Sequence, residues 1–238
     1  MKIKQIKKPV IFFILLIAVN TVIFSFDSEA GIHLGLEFGN LFERYSDQGD
    51  SIESYTSAIG LSFSSYRFFG ESSNFGIFAH GFFAGTAYNS VTTNGVTINN
   101  NFGNYSFVPF RVGIVIGPAF RHNISENLTL HYAIGINWLW SIFSYEESFP
   151  FYNKVTYDVE QTDLGIGGDI GIKLEIDGTA FIMIGSIVTV DFLQFKSVET
   201  SLGDTSSGVV KDFFAFSVRP YISFGLNISY TYPVLQSP

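Results

Sequence analysis

Few side chains in this 238-residue chain are suited to chemistry: four histidines, no cysteine, and a sparse set of carboxylates and bases. Acyl transfer needs a serine within hydrogen-bond reach of a histidine that a carboxylate orients. His33, His80, His122 and His131 stand at no informative spacing from such partners, so no catalytic residue is expected. Metal sites need clustered His, Cys or carboxylate ligands; none occurs, and neither a metal nor a cofactor is expected. Phosphate binding by a glycine loop is the remaining suggestion, from TDLGIGGDIGIKLEIDG at 162–178. There Gly165 and Gly167 fit the dinucleotide fingerprint, but Ile170 stands where its third glycine belongs, and no helical periodicity follows. With a period of two, the same stretch places Leu164, Ile166, Ile170, Ile172, Leu174 and Ile176 against Asp163, Gly165, Gly167, Asp169, Gly171, Lys173 and Glu175. That is a strand with one apolar and one polar face.

The rest of the chain must say which solvent meets each face. Lys2, Lys4, Lys7 and Lys8 precede the run VIFFILLIAVNTVIF and then Ser28-Glu29-Ala30, the pattern of a secretory signal peptide over 1–30, cleaved before Gly31. Losing four lysines, Asp27 and Glu29 takes the chain from 13 basic and 21 acidic residues to 9 and 19, a net charge of −10. Nucleic acid is therefore not an expected partner. The composition is 17% aromatic and only 14% charged, with a mean hydropathy of +0.29, against about 25% charged in an average soluble domain. Residues 31–238 form a single expected domain with eight alternating stretches and no amphipathic helix. The clearest are GIHLGLEFGN, YTSAIGLSFS and LTLHYAIGINWLWS; Phe75–Tyr88 is ambiguous, with phenylalanine on both faces. Connectors alternate between short (Gly70–Asn74, His122–Asn127, Asp177–Thr179) and long (Arg44–Ser54, Asn89–Asn104, Ile142–Thr156, Phe195–Lys211). Asp177-Gly178 signals a tight hairpin, and Asn94-Gly95 a hairpin within the second long loop.

A soluble barrel would cover its exterior with Lys, Glu, Thr and Gln, whereas here the non-apolar positions are mostly Gly, Ala and Ser. Small residues inside and large aliphatics outside form the inverted pattern expected in lipid. Trp138, Trp140, Tyr230 and Tyr232 near strand ends suit an interfacial girdle. The expected fold is an all-β, eight-stranded, antiparallel up-and-down transmembrane β-barrel. Over its mature length the chain resembles the small bacterial outer-membrane barrels of the OmpA, OmpX and OmpW type. The one local motif is SFGLNISY, in which Ser223, Gly225, Ile228 and Tyr230 match the assembly signal of the class, although the chain continues through TYPVLQSP. The resemblance implies a bacterial outer-membrane location with both termini periplasmic. It also implies outer-membrane lipid and the barrel assembly machinery as partners.

Glu37, Arg111, Asp169, Lys173, Asp191 and Arg219 fall on non-lipid registers and form an expected lumen charge network, with Asp191 and Arg219 the expected direct pair. A salt-bridged plug is the structural reading of that network, a polar filter in a narrow pore the functional one. Three functions follow. The barrel serves a structural or surface-interaction role, meeting an extracellular ligand through its loops; or it is a narrow OmpW-like channel, its seam weakened by Pro109 and Pro118; or it is a lipid-modifying enzyme, which the missing triad disfavours.

Overall fold

The computed structural model describes residues 28–47, 50–69, 73–99, 110–149 and 152–230, and no helix occurs among them. Ten strands form: β1 (Ser28–Asp47), β2 (Asp50–Phe68), β3 (Phe75–Thr93), β4 (Val96–Asn99), β5 (Phe110–Asn123), β6 (Leu128–Phe149), β7 (Tyr152–Glu175), β8 (Ala180–Thr200), β9 (Thr205–Val209) and β10 (Lys211–Tyr230). Eight of them close an antiparallel ring, β1-β2-β3-β5-β6-β7-β8-β10, sealed by β10 pairing with β1. Closure satisfies the ladder hydrogen bonds without leaving a sheet edge, the condition for strands to cross a bilayer. The N-terminal segment 1–27 and the tail 231–238 lie outside the described residues. Among the described residues pairing reaches back to Ser28, opposite Tyr230, three residues before the expected cleavage position.

Period-two alternation produces the two faces. Leu34, Leu36, Ile59, Leu61, Ile134, Ile136, Ile170, Ile172, Phe224 and Leu226 are exposed, Ile136 by 72%, as an outer apolar band. On β3 the ambiguity resolves: Phe78, His80, Phe82 and Ala84 point inward, while Phe75 and Phe83 are exposed. Trp140 is not an exposed girdle residue. It is buried on the outward register beside Val112, with its Nε1 donating to Glu160 at 2.9 Å.

Three of the four expected long loops are instead largely strand. The β1–β2 ladder runs to Asp47 opposite Asp50, the β6–β7 ladder to Phe149 opposite Tyr152, and the β7–β8 ladder to Tyr157 opposite Thr200. The second long loop rises as the expected β3–β4 hairpin, with Asn94 and Gly95 at φ 49° and 81°. Positive φ at both central residues is what the Asn-Gly turn supplies. Among the described residues, pairing of β8 with β10 ends at Asp191 opposite Ala215, and pairing of β3 with β5 is described as far as Gly85 opposite Phe110, residues 100–109 lying outside the described residues. Above that level the described strands extend further, with pairings in the orders β10-β1-β2-β3-β4 and β6-β7-β8-β9.

Candidate functional site

The interior is not lined only by small residues, as alternation had suggested. Glycines on the lumen face stand where large side chains cross from other strands. A Cβ on Gly39 would meet the Arg219 stem at 2.7 Å, one on Gly185 the Tyr221 ring at 2.7 Å, and one on Gly225 the Phe181 ring at 2.6 Å. The glycines that mimicked a phosphate loop have the same explanation: Gly165 adjoins Asp191 and a Cβ on Gly167 would meet Val115 at 2.9 Å, while Gly171 in the same stretch adjoins Met183 and Tyr221.

Two filled layers result. Toward the short-turn end, Tyr66, Phe78, Val115, Phe181, Met183, Ile187 and Tyr221 form one buried cluster. Toward the opposite end, Leu41, Phe82, Ala84, Leu139, Phe213 and Ala215 form another. His33 stacks on Tyr66 in the first layer, its Nδ1 2.7 Å from Ser223 Oγ. Between and beside the second cluster's residues lies a void of about 20 Å³, edged by Arg111, Asn137, Thr189 and Arg219. A space of that size holds roughly one water.

All six expected lumen charges are buried, but their pairing differs from expectation. Arg219 Nε lies 3.1 Å from Glu37 Oε1, and its guanidinium covers the Phe82 ring at 3.7 Å. Asp191 accepts instead from Asn137 Nδ2 at 2.6 Å. Arg219 and Asp191 therefore form no direct pair. The register explains this: Asp191 faces Ala215, four residues along β10 from Arg219, whose own partner is Ile187. Arg111 reaches Glu43 at 3.5 Å, Lys173 reaches Glu175 at 2.8 Å, and Asp169 accepts from the Tyr66 hydroxyl.

Several partners were not singled out from the sequence. Glu43 is buried and accepts from Ser54 Oγ at 3.0 Å; Asp163 is fully buried and accepts from Gln194 Nε2 at 2.9 Å. A serine, a histidine and a carboxylate also come together, correcting the expected absence of such a constellation. Ser64 Oγ is 2.6 Å from His80 Nδ1, and His80 Nε2 is 2.8 Å from Glu37 Oε2. Ser64 and His80 are Cα partners, each eight residues from the centre of the short β2–β3 turn. The line is sealed: Ser64, His80, Glu37 and Arg219 are buried, and the rings of Phe78, Phe82 and Tyr221 lie 6.0–6.5 Å from the imidazole. An acyl substrate has no approach to Ser64, and the arrangement serves as a buried polar network. Among the described residues no group of His and carboxylates is placed to hold a metal.

No protein-family model matches the chain, and no curated protein matches it. Solved structures do. The major outer membrane protein of Thermus thermophilus aligns with 81% of this chain and 99% of its own, at a TM-score of 0.54 and 10% identity. OprG from Pseudomonas aeruginosa aligns with 85% and 97% at 0.53 and 9% identity, and AlkL, solved in lipid bilayers, with 88% and 94% at 0.55 and 10% identity. This chain has the fold of the bacterial outer-membrane β-barrels. In such a barrel, two residues of the expected assembly signal, Ser223 and Gly225, make interior contacts. Ser223 bonds His33 and Gly225 admits Phe181; Ile228 is half-buried on β10, and the backbone of Tyr230 pairs with Ser28.

Two ring ladders are interrupted, each at a proline. Pairing of β1 with β10 passes from Glu37–Tyr221 to Asn40–Val218, omitting Phe38, Gly39, Arg219 and Pro220. Pairing of β5 with β6 passes from Ile116–Ile136 to Ala119–Ala133, omitting Gly117 and Pro118 on one side and Ile134 and Gly135 on the other. Proline lacks the donor that a ladder needs. Pro109 lies outside the described residues.

Proposed function

We propose that the protein is an outer-membrane barrel with a closed lumen, whose protruding strand extensions serve a structural or surface-interaction role toward an extracellular ligand. The observation that carries this reading is the interior filling, in which two apolar layers and the Glu37–His80–Arg219 network occupy the lumen among the described residues, with a water-sized void beside the second layer. An eight-stranded ring has room for side chains but not for both side chains and an aqueous path. In this reading the signal peptide is removed on export, the assembly machinery inserts the barrel through its last strand, and both termini face the periplasm. Outer-membrane lipid surrounds the apolar band. A net charge of −10 after cleavage leaves nucleic acid without electrostatic attraction. Refolded protein in planar bilayers is expected to give no steady conductance. A reproducible open level in the unmodified protein would replace the plug by a channel.

The ladder interruption at Gly117–Pro118 favours a second reading, a narrow route that leaves the wall sideways into lipid. Cysteines introduced at Ile116 and Ile136, in a chain with none of its own, would lock that seam when oxidised. A lateral route requires the oxidised protein to lose flux of a small hydrophobic solute into vesicles. Equal flux before and after locking excludes it.

A further inference from the structure

We propose that the cup at the short-turn end of the barrel binds a compact oxyanion of the phosphate class. The cup has a volume of about 200 Å³ and is lined by strand residues together with Asn123 and Glu126 at the turn. Such a space holds roughly six waters, enough for one phosphate group with part of its hydration. It lies on the short-turn side of the Tyr66–Phe181 layer, so a ligand enters without crossing the plugged lumen. This inference is therefore independent of the function proposed above.

Three nitrogen-bearing groups face the cup from three consecutive strands: Arg121 on β5, His131 on β6 and Lys173 on β7. Arg121 is the Cα partner of His131, and Lys173 that of Thr129, so the three occupy adjoining rungs. Gly171, opposite His131, places no side chain among them. Aromatic rings fix each group. The Arg121 guanidinium covers Phe68 at 4.4 Å with its Nε donating to Ser73 O, Lys173 Nζ lies 4.8 Å from the Phe181 ring centre, and His131 stands edge-on to Tyr66 and Phe68. His131 Nδ1 is buried without a hydrogen-bond partner.

Three separate donors on adjoining rungs suit an oxyanion with three or more acceptor oxygens, whereas a planar carboxylate is satisfied by one guanidinium fork. Among the described lining residues two carboxylates temper the field. Glu175 is engaged by Lys173 and by Asn227 Nδ2 at 3.1 Å, and Glu126 is exposed in the turn, where water and salt screen it. A mixed rim of this kind implies weak, millimolar binding.

The test is a nuclear magnetic resonance titration of the refolded full barrel in micelles with inorganic phosphate, with glycerol 3-phosphate as a soluble lipid-headgroup analogue, and with chloride at matched ionic strength. The expected result is saturable shifts at Arg121, Thr129, His131 and Lys173 with phosphate and not with chloride. Saturation by glycerol 3-phosphate as well would extend the site to esterified phosphate, and its failure would restrict the site to the free ion. Arg121→Gln and Lys173→Gln, each confirmed as a folded barrel by its unboiled gel migration, are expected to weaken binding about tenfold, the usual effect of one charged hydrogen bond. Absence of saturable shifts in the unmodified protein, reproduction of them by chloride, or unchanged binding in both folded variants would overturn the proposal.

Discussion

Glu37 contacts His80 through one carboxylate oxygen and Arg219 through the other, linking β1 to β3 and β10 inside the wall. Removing one partner of such a buried pair costs about 3 to 5 kcal/mol, because the remaining charge stays desolvated. Arg219→Ala should therefore destabilise the barrel far more than Lys211→Ala, an exposed change at the rim. In a double-mutant cycle by urea unfolding, Arg219→Ala should couple strongly with Glu37→Ala and weakly with Asp191→Ala; the reverse order would contradict the pairing seen here. Asp177 offers a pH-dependent contrast outside the wall. It accepts from Thr179 N, Thr179 Oγ1 and Ala180 N at 2.8–3.1 Å, which hold its carboxyl below the usual range. Its contribution is then present above the unfolded-state pKa and lost as pH falls through the lower folded value. The stability gap between the protein and Asp177→Asn should accordingly close on acidification. A gap that widened in acid would show that the turn does not depend on the carboxylate. The burial of the six lumen charges was legible from alternation alone, because parity along a strand fixes the face. Their partners were not legible, since the Glu37–Arg219 contact depends on how the last strand registers against the first. Ser64 and His80 were within reach of sequence reasoning, because a tight turn fixes which residues stand opposite.

At the scale of strands, the band of aliphatics and the short turns were readable, whereas three long connectors turned out to be ladder. Strand extensions beyond the ring alternate less cleanly because neither face meets lipid, so period-two patterning fades while pairing persists. The trapped bulk was also illegible: a glycine in a strand looks like a small lumen residue, and nothing local reveals the Phe181 or Tyr221 ring reaching over it. Gly165 tests this. Its Cβ would stand 2.5 Å from Asp191 Cα, and overpacking of that kind typically costs about 1 to 3 kcal/mol. Gly165→Val should lower the urea midpoint, while Gly208→Val, in open space on β9, should not; equal effects would remove the packing explanation. For the final strand, Tyr230→Asp is expected to lower insertion into the outer membrane and raise degradation of the undelivered protein. Unchanged surface levels would contradict the assembly-signal assignment.

The described residues comprise a closed ring and strand extensions that continue past it, and this arrangement has a mechanical consequence. Every ring strand has two neighbours, so the ring keeps its backbone bonds satisfied in detergent and should resist unfolding until boiled. The unboiled protein should consequently migrate differently from the boiled protein on a denaturing gel. The upper part of the β6–β7 hairpin, from Ser144 to Tyr157, continues the β6–β7 ladder above the level at which β8 and β10 part at Asp191 and Ala215. Replacing residues 145–156 by a two-residue turn shortens one projection without opening the ring, and loop-length changes of this size alter closure entropy by only about 1 kcal/mol or less. The shortened barrel should retain its unboiled migration and its β-type circular dichroism while losing any binding to cells or matrix that the full chain displays. If it instead ran identically before and after boiling, the projection would be part of what holds the ring together, and surface interaction could no longer be assigned to a separable element.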